Sequence, residues 1–210
     1  MNNGNLRTLS DLRGLQGALT GALEVAQNAQ LRNLDGLQSV LSLGKDANGV
    51  SVKISDNAAL EDTSGLSGIS KVEGSIVIML NPSLAVLAGL QKIADVPADM
   101  TGNSLIVQSN QALTNLLGFS GIGEVSGAIS IERNPSLGSL DGLQNLKAIH
   151  GKNKFGNSLE VISNGELKNV AALSGLNNHL NGLVIRGVAS ATTIVVEDVQ
   201  CAVIQNTNYY

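Results

Sequence analysis

An asparagine returns seven times along this chain, at Asn3, Asn28, Asn57, Asn81, Asn110, Asn134 and Asn164, at intervals of 25, 29, 24, 29, 24 and 30 residues. A period near 25 residues is the signature of a solenoid, whose coils cannot bury an apolar face alone and depend on their neighbours. The alternation of short and long intervals makes two coils, about 53 residues, the unit of duplication. Every second coil must therefore accommodate roughly five extra residues in one loop. The residues themselves record the duplication. Leu34-Asp35-Gly36-Leu37-Gln38 returns as Leu140-Asp141-Gly142-Leu143-Gln144, and Asn-Pro-Ser-Leu at 81–84 returns at 134–137.

Aligned on asparagine, each coil reads N-x-x-L-x-x-L-x-G-L, two further aliphatic positions, a loop, and an apolar-x-apolar strand leading to the next asparagine. The pairs Leu23/Val25, Val52/Ile54, Ile76/Ile78, Leu105/Val107, Ile129/Ile131, Leu159/Val161 and Leu183/Ile185 alternate at strand period and point inward. The leucine-rich stretch is too short and glycine-rich for a long helix, so it closes the coil with turns and short extended pieces. Its Gly-Leu leucines are Leu37, Leu66, Leu90, Leu143 and Leu176, with Phe119 in the same place in another coil. The chain turns sharply at each strand end, where backbone groups need partners, and an amide side chain offers both donors and acceptors. Stacked asparagines are thus expected to form a ladder. The ladder ends where Val188 takes the asparagine position, and Ala191–Asn206 is read as terminal strands covering the last coil.

Composition narrows function. The chain has a net charge of −4 and four aromatic residues, Phe119, Phe155, Tyr209 and Tyr210. With no basic stripe to neutralise phosphates, no nucleic-acid partner is expected. Cys201, the lone cysteine, is read as an inert core thiol. His150 and His179 are the two histidines, and neither metal-ligand spacing nor a nucleophile-base set is present, so no metal and no cofactor are expected. No apolar run is long enough to insert into a membrane. One domain is expected, a solenoid over residues 1–190 followed by capping strands and a tail over 191–210. Asn3 should follow a strand of its own, so further repeats or a cap are expected at the N-terminal end.

The unit Ser104-Leu105-Ile106-Val107-Gln108-Ser109-Asn110-Gln111-Ala112-Leu113, followed by Leu116, resembles the receptor L-domain. That family is the leucine-rich-repeat-like right-handed β-helix of insulin- and epidermal-growth-factor-receptor ectodomains, found also in fungal cell-wall glycoproteins. The resemblance covers roughly residues 3–188. It implies an all-β solenoid, a parallel β-helix of about seven coils, and a non-enzymatic ligand-binding or adhesion module that is extracellular or at the cell surface. The implied partner is a protein or glycan. No signal peptide or transmembrane segment is recognisable, and neither Asn-Pro-Ser site can accept a glycan because of its proline.

Outward-facing strand positions form two columns: Glu24, Lys53, Val77, Ile106, Ser130, Glu160, Val184, and beside it Ala26, Ser55, Met79, Gln108, Glu132, Ile162, Arg186. Val77, Met79 and Ile106, with Gln108, Glu132 and Glu160, are the candidate partner site on the sheet face. The inserted loops form a second candidate site along one sheet edge, through Lys45 and Asp46, Asp99 and Met100, and Lys152, Lys154 and Phe155. Two other readings remain open. The coils could be a purely structural segment of a larger surface or wall protein. Alternatively, Glu132 and Glu160, offset by two positions on adjacent strands, could act on polysaccharide, although no cleft or stacking aromatics accompany them.

Overall fold

A computed structural model describes residues 3–176, 180, 182–189 and 202–205. Along the chain its strands are β1 (Gly17–Leu19), β2 (Leu23–Ala26), β3 (Val40–Leu43), β4 (Val50–Ser55), β5 (Lys71–Val72), β6 (Ser75–Met79), β7 (Asp95–Val96), β8 (Asn103–Gln108), β9 (Glu124–Val125), β10 (Ala128–Glu132), β11 (Ala148–Ile149), β12 (Leu159–Ile162), β13 (Leu183–Arg186) and β14 (Ala202–Gln205). The longer strands build one eight-stranded sheet in the order β14-β13-β12-β10-β8-β6-β4-β2. Each of its pairings is parallel. The short strands form two three-stranded ladders, β1-β3-β5 and β7-β9-β11. The fold is a parallel β-solenoid of about seven coils. From β2 to β12, each strand of the large sheet is entered from a short strand through a loop.

The interior is a stack of aliphatic layers. Leu31, Leu34 and Leu37 of one coil are buried, as are their equivalents Leu60 and Leu66, Leu84, Leu87 and Leu90, and Leu137, Leu140 and Leu143. Each fully buried side chain of this size contributes about 1.5–3 kcal/mol relative to exposure. Phe119 lies fully buried in the Gly-Leu place. In the last coil that place belongs to Leu173 and not to Leu176. The 3₁₀ turn Ala171–Leu173 is equivalent to Ser64–Leu66 and Leu117–Phe119, and it shifts the assignment by one turn. In the coils before the last the glycine preceding this residue is required by close backbone approach, and in the last Ala172 takes its place. A Cβ on Gly142 would lie 1.9 Å from the carbonyl oxygen of Leu116 in the coil before.

Six asparagines, Asn28, Asn57, Asn81, Asn110, Asn134 and Asn164, stand in one buried file. Each Oδ1 from Asn57 onward accepts both the backbone N–H and the Nδ2–H of the asparagine one coil earlier, at 3.0–3.3 Å. From Asn57 on, Nδ2 also donates to a strand carbonyl of the preceding coil, such as Ile78 for Asn110 at 3.0 Å. Asn3 stands outside the file. It is exposed, and the segment that follows it stacks on the next coil through Leu6, Leu9 and Leu15. The residue before each ladder asparagine is left-handed: Gln27, Asp56, Leu80, Ser109, Arg133 and Ser163 have φ between 53° and 60°. A non-glycine residue costs about 1 kcal/mol or more in that conformation, so the ladder bonds must hold it there. Where Val188 replaces asparagine, the preceding residue is Gly187, at φ 60°.

Beyond Ala189 the described chain is β14, which extends the large sheet by pairing with β13. The rest of the expected capping segment, with Cys201, Tyr209 and Tyr210, lies outside the described residues, as does His179.

Candidate functional site

The register of the large sheet places both outward columns as continuous rows. Glu24, Lys53, Val77, Ile106, Ser130, Glu160 and Val184 are consecutive partners, as are Ala26, Ser55, Met79, Gln108, Glu132, Ile162 and Arg186. Their exposure is uneven. Val77, between Lys53 and Ile106, retains only 7% of its surface, while Ile106, Met79 and Gln108 are half-buried. Lys53 pairs with Glu24 across the strands at 2.8 Å. Glu132 accepts the Ser130 hydroxyl at 2.8 Å and lies 3.6 Å from the Arg133 guanidinium. Glu160 is buried and clamped, its two oxygens accepting Asn153 Nδ2 at 2.9 Å and Asn157 Nδ2 at 2.7 Å. Glu132 and Glu160 are therefore each engaged by neighbouring side chains of the chain itself.

The inserted loops share one conformation. Asp46, Asp99 and Asn153 each open a turn in which the backbone N–H donates to the carbonyl four residues on, at 2.8–2.9 Å. The glycine closing the turn, Gly49, Gly102 or Gly156, donates back and has φ of 83–87°. The side-chain Oδ1 of the opening residue accepts two more backbone N–H groups: Asn48 and Val50 in the first loop, Thr101 and Asn103 in the second, Phe155 and Asn157 in the third. In the first loop these bonds, that from Val50 foremost and then those from Asn48, hold the Asp46 carboxyl below the usual carboxylate range. A serine just after each loop ties down its base. Ser51, Ser104 and Ser158 donate to the carbonyls of Gly44, Val96 and Gly151 at 2.6–2.8 Å.

Although two coils apart, the loops touch. The Met100 N–H donates to the Asn48 carbonyl at 2.9 Å, and a Cβ on Gly102 would lie 2.4 Å from the carbonyl oxygen of Lys152. They lean across the intervening short coils and make a continuous wall along the amino ends of the strands. What the wall displays differs from loop to loop. Lys45 and Asp46 are exposed on the first, Met100 on the second, and Lys152, Lys154 and Phe155 on the third, while Asp99 is half-buried beneath its loop. Met100, at 79% exposure, and Phe155, at 72%, are the most exposed large apolar side chains among the described residues. Lys154 Nζ lies 5.0 Å from the centre of the Phe155 ring, within cation–π range.

Sequence reasoning did not single out Asn153 and Asn157 as the clamp on Glu160. Aligning the three loops on Gly49, Gly102 and Gly156 would have shown Asn153 in the Asp46 and Asp99 place. Among the described residues no helix is long and apolar enough to cross a membrane, and no three His, Cys, Asp or Glu side chains converge as metal ligands. Residues 100–187, from the tip of the second loop to the left-handed glycine after β13, match the family model described as Receptor L domain. No curated protein and no solved structure matches the chain.

Proposed function

With residues 100–187 in the receptor L-domain family, a family of ligand-binding modules, we propose that this chain is a non-enzymatic module that binds a protein partner on its loop wall and the adjoining sheet face. The observation that carries this reading is the display of Met100 and Phe155 at the tips of loops whose backbones are fixed. Isolated exposed aliphatics are common on any surface. Two large apolar side chains, each more than 70% exposed on stacked and hydrogen-bonded turns, form a pre-organised contact surface that loses little entropy on docking. Lys152 and Lys154 give the third loop a positive rim, suited to a partner with acidic residues around an apolar centre. Ile106, Met79 and Gln108 continue the surface onto the sheet.

The test is a selection of displayed protein fragments from the source organism against the intact chain, followed by titration against variants. Ligands are expected to lose at least about tenfold affinity for Met100→Glu combined with Phe155→Glu, and to bind Leu80→Glu, at the other end of the strands, normally. Ligands that bind the loop variant undiminished would relocate the site. Recovery of no protein ligand would remove the proposal.

A further inference from the structure

Across the core from the loop wall lies a second exposed apolar surface. Counted from the ladder asparagines, the leucine stretches 28–38, 57–67, 134–144 and 164–174 each contain charged residues, whereas 81–91 and 110–120, on two consecutive coils, contain none. On these two stretches Val86 is 48% exposed and Leu117 49%. The stacking brings them together. A Cβ on Gly118 would lie 2.6 Å from the Leu87 carbonyl oxygen, which sets Leu117 next to residues 86–88, and the Ala112 N–H donates to the Pro82 carbonyl at 3.2 Å. Pro82, Ala85, Val86, Ala112 and Leu117 thus form one uncharged band two coils wide.

Acidic residues border the band on both sides. On the coil before it, the Glu61 carbonyl accepts the N–H groups of Ala85 and Val86, and Asp62 is the bridge partner of Val86. On the coil after it, the Asp141 carbonyl accepts the Leu116 N–H at 2.8 Å, one residue from Leu117. Arg32 meets Glu61 at 3.3 Å from the side away from the band. The loop wall has the reverse arrangement. Met100 and Phe155 are its apolar centre, with Lys45 on the first loop and Lys152 and Lys154 on the third, while Asp46 accepts the backbone N–H groups of its own loop. The acidic rims are three coils apart, about 14 Å, and the lysine-bearing loops four coils apart, about 19 Å, a difference that flexible lysine side chains span.

We infer that the loop wall of one copy docks on this band of a second copy of the chain, Met100 and Phe155 against Val86 and Leu117, with the lysines over the acidic rims. The inference rests on the loop wall being a protein-binding surface and names one of its partners. Complementary charge around a matched apolar centre selects the partner and its orientation. In each coil the leucine stretch leads from the asparagine corner to the short strands, and the loops lie at the next corner, where the short strands lead into the large sheet. The two surfaces therefore face opposite ways, and a copy docked through its wall still offers its band. Such a head-to-tail contact continues into a ring or a filament and does not stop at a dimer.

The probe is the full chain itself, followed by sedimentation velocity at rising concentration up to about 1 mM. The mass is expected to rise past that of a dimer, and added salt to weaken the association by screening the rim charges. Met100→Glu with Phe155→Glu removes the wall, and Val86→Glu with Leu117→Glu removes the band, each at exposed positions. Either variant alone should associate at least about tenfold more weakly. An equimolar mixture of the two should form a dimer and go no further, because one offers only a band and the other only a wall. Lys152→Glu with Lys154→Glu, confined to a loop tip, should weaken the association of the otherwise unaltered chain. A monomer at every concentration, a mass that levels at a dimer, no dimer in the mixture, or unchanged association of the lysine variant would each overturn the inference. All of these leave the selection of other ligands on the wall as it stands, so a failed self-contact is told apart from a failed wall.

Discussion

The two ends of the strands in the large sheet solve the same problem, a sharp change of chain direction, in opposite ways. At the carboxyl ends one residue type is repeated coil after coil, buried, with the amides from Asn57 to Asn134 each bonded to the coil before and the coil after. At the amino ends of alternate strands, one side-chain oxygen and one left-handed glycine fix each loop, and the tips remain free to differ. The difference shows where variation is tolerated. A ladder member must accept two hydrogen bonds on one atom and donate two from another in a buried file, and an amide side chain supplies both sets. A loop opener only has to accept, so aspartate serves at 46 and 99 and asparagine at 153, and the solvent-facing residues carry no structural duty. Recognition is cheap to evolve on the second edge and costly on the first.

The largest expected effect breaks the ladder in its middle. Asn110→Ala removes the acceptor for Asn81 and the donors to Ile78 and Asn134, leaving several buried groups unpaired, and should cost about 3 kcal/mol or more in urea denaturation. Asn28→Ala, whose Oδ1 serves no partner, should cost about 1–2 kcal/mol. Equal costs at the two positions would mean that the file does not act through its acceptors. On the other edge, Asp99→Ala removes the acceptor for two backbone N–H groups and the Thr101 hydroxyl. It should cost about 1 kcal/mol, with the faster amide exchange confined to residues 99–103. Exchange that spreads along the whole sheet would show the loop to be part of the core.

A change of about 1 kcal/mol in the stabilising direction is expected for Leu80→Gly, since Leu80 is exposed and left-handed at φ 58°. A loss of stability in denaturation would mean that its side chain contributes more than its backbone costs. The smallest effect concerns pH. The Asp46 carboxyl is depressed in the folded loop, so its contribution is fully present above its unfolded pKa and is lost as pH falls through the folded value. Amide exchange at Asn48 and Val50 should therefore accelerate relative to neighbouring loops in acid, and Asp46→Asn, the residue type of the third loop, should flatten that dependence. An unchanged profile in Asp46→Asn would assign the acid response to another group.

Much of the architecture was legible because the asparagine period, the alternating strand pairs and the duplicated segments are all local patterns that survive without coordinates. The phase counted from each asparagine also contains the correction at the last coil. Nine positions after Asn164 is Leu173, whereas the Gly175-Leu176 dipeptide imitates the motif three residues late. The candidate site was legible as two rows of outward positions and three inserted loops along one edge, but not as contacts. Sequence placed Val77, Ile106 and Glu160 on the outward face, but their burial depends on neighbours across strands, and the clamp on Glu160 comes from a loop.

By itself, then, the sequence determined the solenoid, the length of its coils, the side of each strand that faces inward and the place where the ladder stops, because a repeated pattern has one efficient way to stack. Only the tertiary structure decided that Asn3 stands outside the file and Asn28 has an unmet acceptor. It alone decided that Leu80 and Arg133 take a conformation their side chains disfavour, and that loops two coils apart bond to each other. These outcomes depend on contacts between coils, whose energies of about 1 kcal/mol per bond act together to override local preference, and no single repeat contains them.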